Sequence, residues 1–156
     1  ALKRENCRLP AYQNLEIAQP PQVKLKAEVV LEQEFDNTCA DMRAVEVLIG
    51  DLPVDAAGAL DLSLLDPAGG VVTSREYKIS ALSPKQILML EVPAGTTVSR
   101  GKYTIHLEVK ETDGGLGIGL RKPDVYPGGG LTVDGSAVDG DVVFFYICAP
   151  GKGFKY

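Results

Sequence analysis

Tryptophan is absent from this chain of 156 residues, and histidine occurs once, at position 106. The first absence removes the side chain best suited to stacking on a sugar ring. The second forces any Ser-His-Asp or Cys-His arrangement to pass through His106. No nucleophile motif surrounds His106 in sequence, so its leading reading is a solvated strand residue and the chain reads as noncatalytic. Apolar runs of the roughly 18 to 20 residues needed for a membrane helix are missing, as is the apolar core of a signal peptide. The expectation is therefore a chain that does not insert into a membrane. Beginning at Ala1, it reads as a processed product or an excised piece of something larger. Sixteen Lys and Arg stand against 21 Asp and Glu, a net charge of -5. The basic residues form no stripe, which argues against a nucleic-acid partner.

Cysteine is also scarce. Cys7, Cys39 and Cys148 are too few and too widely spaced for a disulfide framework or a Cys-x-x-Cys zinc site. At most one bridge and one leftover thiol can form. In a jelly roll the first and last long strands are antiparallel neighbours. That would set Cys148 near the start of the first strand, around Val29, and Cys39 at the opposite pole. Bridged Cα atoms must lie within about 7 Å, so this geometry favours Cys7 with Cys148 and disfavours Cys39 with Cys148.

What the sequence has is a two-residue period. Leu60, Leu62 and Leu64 alternate with Asp61 and Ser63, and Tyr103, Ile105, Leu107 and Val109 alternate with Thr104, His106 and Glu108. Each predicts a strand with one wet face. The period recurs at 29–35, 45–49, 71–79 and 87–92, and a final run at 142–148 is apolar on both faces. Turn residues fill the gaps: Gly50-Asp51-Leu52-Pro53, Asp66-Pro67-Ala68-Gly69-Gly70, Pro93-Ala94-Gly95 and Asp113-Gly114-Gly115. Asp134-Gly135 has the composition of a type I′ hairpin turn between 131–133 and 136–138, and Asp139-Gly140 redirects the chain into the last strand. Short strands about 10 residues apart, with no helical stretch between them, predict an all-β fold: an antiparallel β-sandwich, jelly-roll-like, with an irregular N-terminal arm. The expected division is an arm or linker at 1–28, a sandwich at 29–149 and a C-terminal tail at 150–156.

Gly115, Gly117 and Gly119 alternate with Leu116, Ile118 and Leu120. Arg121-Lys122-Pro123 prevents a helix from opening there, so this is no dinucleotide loop. The glycines leave one strand face flat, for a packed backbone or an approaching ligand, and packing is the leading reading. For sugar binding the remaining ring candidates are Tyr77, Tyr126 and Tyr12. Tyr126 is set in a loop between Pro123 and Pro127, where it is either a platform or a packed cap. The candidate ligand-binding set is Tyr126, Asp124, Tyr77 and His106. Calcium needs six to eight oxygens, and Asp36, Asn37 and Asp41 share one loop while Asp134, Asp139 and Asp141 share another. Asp36, Asp41, Asp139 and Asp141 are thus the candidate metal ligands, against a leading reading of solvated turns. The expected cofactor is none, with calcium as the alternative.

Several segments carry a resemblance: Gln33-Glu34-Phe35 before a polar loop, the strand at 45–49, the strand at 60–64 with its Asp66-Pro67-Ala68-Gly69-Gly70 turn, Lys102-Tyr103 opening a long strand, and above all DVYPGGGLTVDGSAVDGDVVFF from Asp124 to Phe145. Over about residues 31–146 the chain resembles the small jelly-roll-like domains attached to multi-spanning membrane proteins of the bacterial cell envelope, including glycosyltransferases and polysaccharide polymerases. The resemblance implies a periplasmic or extracellular location, proximity to glycan chemistry, and an accessory role beside a catalyst. Two functions follow as expectations. One is a module that binds or positions a carbohydrate. The other is a structural or protein-interaction domain of a larger envelope protein or assembly. The expected partner is accordingly a glycan or an envelope protein.

Overall fold

Alternation in sequence becomes alternation in burial. Along residues 59–65 every second side chain, Leu60, Leu62 and Leu64, is fully buried, and Tyr103, Ile105, Leu107 and Val109 repeat the pattern. The computed structural model describes residues 22–53, 57–111, 115–121 and 129–150, and the backbone of 8–10. Its strands are β1 (Arg8–Pro10), β2 (Gln22–Leu25), β3 (Val30–Asn37), β4 (Met42–Leu48), β5 (Ala59–Leu65), β6 (Val71–Lys78), β7 (Ile87–Glu91), β8 (Gly101–Lys110), β9 (Leu116–Arg121), β10 (Leu131–Val133), β11 (Ser136–Val138), β12 (Asp141–Val142) and β13 (Phe144–Cys148). The run expected to continue to Ile79 ends at Lys78, and Ile79–Ala81 forms one 3-10 turn.

All pairings are antiparallel, so the fold is an all-β sandwich. A six-stranded sheet, ordered β11-β10-β3-β8-β5-β6, faces a four-stranded sheet, β1-β13-β4-β7. A third sheet, β12-β9-β2, adjoins the four-stranded one through an Ile49 to Ile118 bridge. Two described pieces of the 1–28 arm are therefore strands: β1 pairs with β13 and β2 with β9. Asp134 and Gly135 have φ of +49° and +80°, the positive pair that a type I′ turn requires, between β10 and β11.

The inward faces meet in one core. Phe35 of β3 sits at its centre, with ring centroids 5.2 Å from Phe144, 5.4 Å from Tyr146 and 6.4 Å from Tyr103. Aromatic pairs at such distances contribute about 0.5–1.5 kcal/mol each beyond the area they bury. They tie β3 and β8 of one sheet to β13 of the other.

Against the expected geometry, the bridge joins Cys39 to Cys148, with Cα atoms 5.4 Å apart. The premise that the first and last long strands are neighbours does not hold, because β3 pairs with β10 and β8 while β13 pairs with β1 and β4. The chain leaves β3 at Asn37 and enters β4 at Met42, and Cys148 is in register with Met42. Antiparallel to β4, β13 must end at the pole where β3 ends, beside Cys39. Cys7 lies outside the described residues.

The Gly117 position is one of close packing. A Cβ there would overlap the side-chain amide of Gln22 and come 2.7 Å from the Asp51 nitrogen. The Gly117 N–H donates to the Asp51 carbonyl at 2.8 Å, and its own carbonyl accepts from Gly50 at 2.7 Å. The packing reading of the glycine strand therefore describes what β9 does: it lets β2 and residues 50–51 approach from one side.

Candidate functional site

The outward face of the six-stranded sheet is mostly polar, with Val30, Ala59, Leu65 and Ala137 as its apolar members. Strand register aligns one complete row across it: Ala137, Thr132, Glu32, His106, Ser63 and Ser74, one from each strand in spatial order. At the usual strand spacing of about 4.8 Å the row spans roughly 24 Å. At its centre His106 Nδ1 lies 2.9 Å from Glu32 Oε2. A carboxylate only accepts, so Nδ1 carries the proton and Nε2 is the ring's remaining polar atom. The pair stays accessible, with side-chain exposures of 26% and 40%.

Beside Glu32, a depression of about 200 Å³ is lined by Glu32, Glu34, Thr104, Gly130 and Thr132. Toward the other end of the sheet an open groove of about 650 Å³ is lined by the small residues Ala57, Gly58 and Ala59 together with Glu76, Lys78, Ser80, Lys110 and Glu111. Ala59 is in register with both Lys78 and Lys110, which flank it on adjacent strands. Lys110 Nζ is held 2.7 Å from Asp61 Oδ2, and this contact raises the Lys110 pKa, first through the hydrogen bond to Asp61 and then through its charge. On this face Glu32, Glu34, Asp36, Asp61, Glu76 and Glu108 outnumber Lys78, Lys102 and Lys110. Such a surface offers many donors and acceptors in a flat array and disfavours a polyanion.

The residues singled out from sequence are dispersed. His106 is on this face, and Asp36 is there too, 3.6 Å from Lys102 Nζ. Tyr77 is at the side of the sandwich. Its hydroxyl donates to the Met89 carbonyl at 2.6 Å and the Arg75 guanidinium lies 4.8 Å over its ring, so one ring face is covered. Burial pushes the Tyr77 pKa up, with Arg75 opposing. Asp41 accepts from Arg43 at 3.2 Å and from the Val98 N–H at 3.1 Å. Asp141 is fully buried and accepts from Gln33 Nε2 at 3.1 Å, while Gln33 Oε1 accepts from the Val142 N–H at 2.9 Å. Asp139 is exposed. Asp134 accepts from the Val30 N–H at 2.9 Å. Among the described residues no group of three or more His, Cys, Asp and Glu side chains could hold a metal ion. Tyr12, Asp124 and Tyr126 lie outside the described residues.

Glu32, Ser63, Thr132 and the groove lysines were not singled out from sequence. Alternation marks each as outward on its strand, but only the pairing of β3 with β8 and of β8 with β5 brings them together. No protein-family model matches the sequence, and no curated protein matches it.

Proposed function

We propose that this domain is a noncatalytic module that binds or positions a carbohydrate, outside the cytoplasm, on the outward face of its six-stranded sheet. The observation carrying this reading is the uninterrupted row from Thr132 through Glu32, His106 and Ser63 to Ser74. Sugar hydroxyls both donate and accept, and the row presents carboxylate, imidazole and hydroxyl groups at the spacing of neighbouring strands. With more carboxylates than ammoniums around it, the face suits neutral or amino-bearing sugars better than uronates or phosphorylated glycans. The Cys39 to Cys148 disulfide is compatible with an oxidising compartment, which agrees with the proposed location. No helix among the described residues is long and apolar enough to cross a membrane.

The test is binding of the purified chain to a broad glycan array, in calcium and again in chelator. The reading expects saturable binding to a related set of neutral or amino glycans, unchanged by chelator and lost in a His106→Ala, Glu32→Ala double variant. A folded chain that binds nothing on the array contradicts it.

A protein-interaction role is the second reading. It is favoured by Val71, Ile87 and Met89, which are large exposed hydrophobic residues on the β6 and β7 side of the sandwich.

A further inference from the structure

We propose that the free edge of β6 pairs with β6 of a second copy, antiparallel and centred on Ser74, so that the chain forms a twofold dimer. Two strands end on this side of the sandwich, and they are treated differently. The edge of β7 is closed by side chains of β6: Tyr77 donates to the Met89 carbonyl at 2.6 Å and Thr73 to the Glu91 carbonyl at 3.2 Å. The edge of β6 itself, eight residues long, has no strand beyond it among the described residues. A long uncovered edge is a template for another strand.

The phase of the ladder says which groups are presented. Ile79 N–H donates to the Gly58 carbonyl at 3.1 Å, and this pair continues the register of Ala59 with Lys78. Hydrogen-bonded pairs alternate in an antiparallel ladder. The backbone groups of Thr73, Arg75 and Tyr77 therefore bond to β5, while those of Ser74, Glu76 and Lys78 point outward.

Symmetry then restricts the register. A twofold axis normal to the sheet can pass through Ser74, Arg75 or Glu76 near the strand's middle, whereas one through Thr73 sets Glu76, Tyr77 and Lys78 beyond the partner strand's end. The second choice opposes two arginines and the third opposes two glutamates, and like charges directly opposite are destabilising. Centring on Ser74 opposes Ser74 with its own copy, Thr73 with Arg75, Val72 with Glu76, and Val71 with Tyr77. Val71 is 64% exposed in the single chain, the most exposed large hydrophobic residue described, and this register covers it. The surface is self-complementary, as an isologous contact requires. Because Ser74 also ends the polar row, the two rows would meet end to end and make one face twelve strands wide.

Sedimentation velocity of the full chain over a concentration series tests this, beside Ser74→Pro. The proline removes an N–H that points away from β5, and edge strands tolerate it. Reversible dimerisation is expected, weakened at least tenfold by Ser74→Pro with far-UV circular dichroism unchanged. Should the proline variant fold poorly, Ser74→Cys in a Cys7→Ser background gives an independent answer. Directly opposite Cα atoms in a bonded pair are about 5.5 Å apart, within disulfide reach, so mild oxidation should give a covalent dimer that Glu76→Cys does not give. A chain that stays monomeric at every concentration, or a dimer that Ser74→Pro leaves intact, overturns the proposal. So does a monomer that instead captures a strand of another protein.

Discussion

Cys39 and Cys148, 109 residues apart in sequence, are joined at one pole of the sandwich, each 2% exposed. Cys39 follows β3 of the six-stranded sheet and Cys148 ends β13 of the four-stranded sheet, so the bridge fastens one layer to the other. A cross-link closing a loop of this length constrains the unfolded chain strongly, by about 4–5 kcal/mol in the chain-entropy account. The Cys39→Ser, Cys148→Ser double variant is expected to lose about 2–5 kcal/mol in urea unfolding. Reductant should lower the native midpoint and leave that of the double variant in place. Equal midpoints for native and variant chains would show that the pole is held by packing alone.

Gly129 and Gly130 stand side by side and should respond oppositely to alanine. A Cβ at Gly129 would run into the Glu34 backbone carbonyl, whereas one at Gly130 meets nothing within 4 Å. The Gly130 carbonyl also accepts from the Glu34 N–H at 2.9 Å, a contact that alanine keeps. Gly129→Ala is expected to cost about 1–3 kcal/mol and Gly130→Ala to change stability by less than about 0.5 kcal/mol, as read by thermal or urea unfolding.

Tyr77 sets an alkaline limit. Burial raises its pKa above the ordinary tyrosine value of 10.0. A raised folded-state pKa means that the folded chain holds the proton more tightly than the unfolded chain. The contribution is complete below the unfolded pKa and is lost as pH rises through the folded one. Lys110, also raised, acts in the same direction. Stability should therefore fall as pH climbs past about 10, and Tyr77→Phe should make that fall shallower. An unchanged alkaline slope in the variant would contradict the assignment to Tyr77.

Calcium removal should leave stability unchanged. Asp41 is engaged by Arg43 and Val98, Asp141 by Gln33, and Asp36 lies near Lys102. Thermal midpoints in calcium and in chelator are expected to coincide. A calcium-dependent rise that Asp139→Asn abolishes would restore the metal reading of that loop.

The strands were legible because their burial is set by a local property, the alternation of Leu60, Leu62 and Leu64 or of Tyr103 through Val109, and so were the Asp134-Gly135 turn and the packed glycines of β9. Adjacency was not. Whether β13 lies beside β3 or β4 depends on nonlocal pairing, and a choice between two sandwich topologies moved Cys148 from one pole to the other. The site failed to show for the same reason. His106 was visible as an outward ring, but Glu32 lies 74 positions away and Ser63 on a third strand. Asp141 misled in another way: its Asp-Gly-rich setting suggests an exposed loop, while Gln33, a polar residue on the inward face of β3 between Leu31 and Phe35, draws it into the core.

The most direct test of the binding account is amide chemical-shift mapping during titration with a neutral oligosaccharide selected from the array. The account predicts shifts along Thr132, Glu32, His106, Ser63 and Ser74, saturating together, with β4 and β7 of the opposite sheet unmoved. Shifts confined to β4 and β7, or none on the six-stranded sheet at saturating ligand, would contradict it.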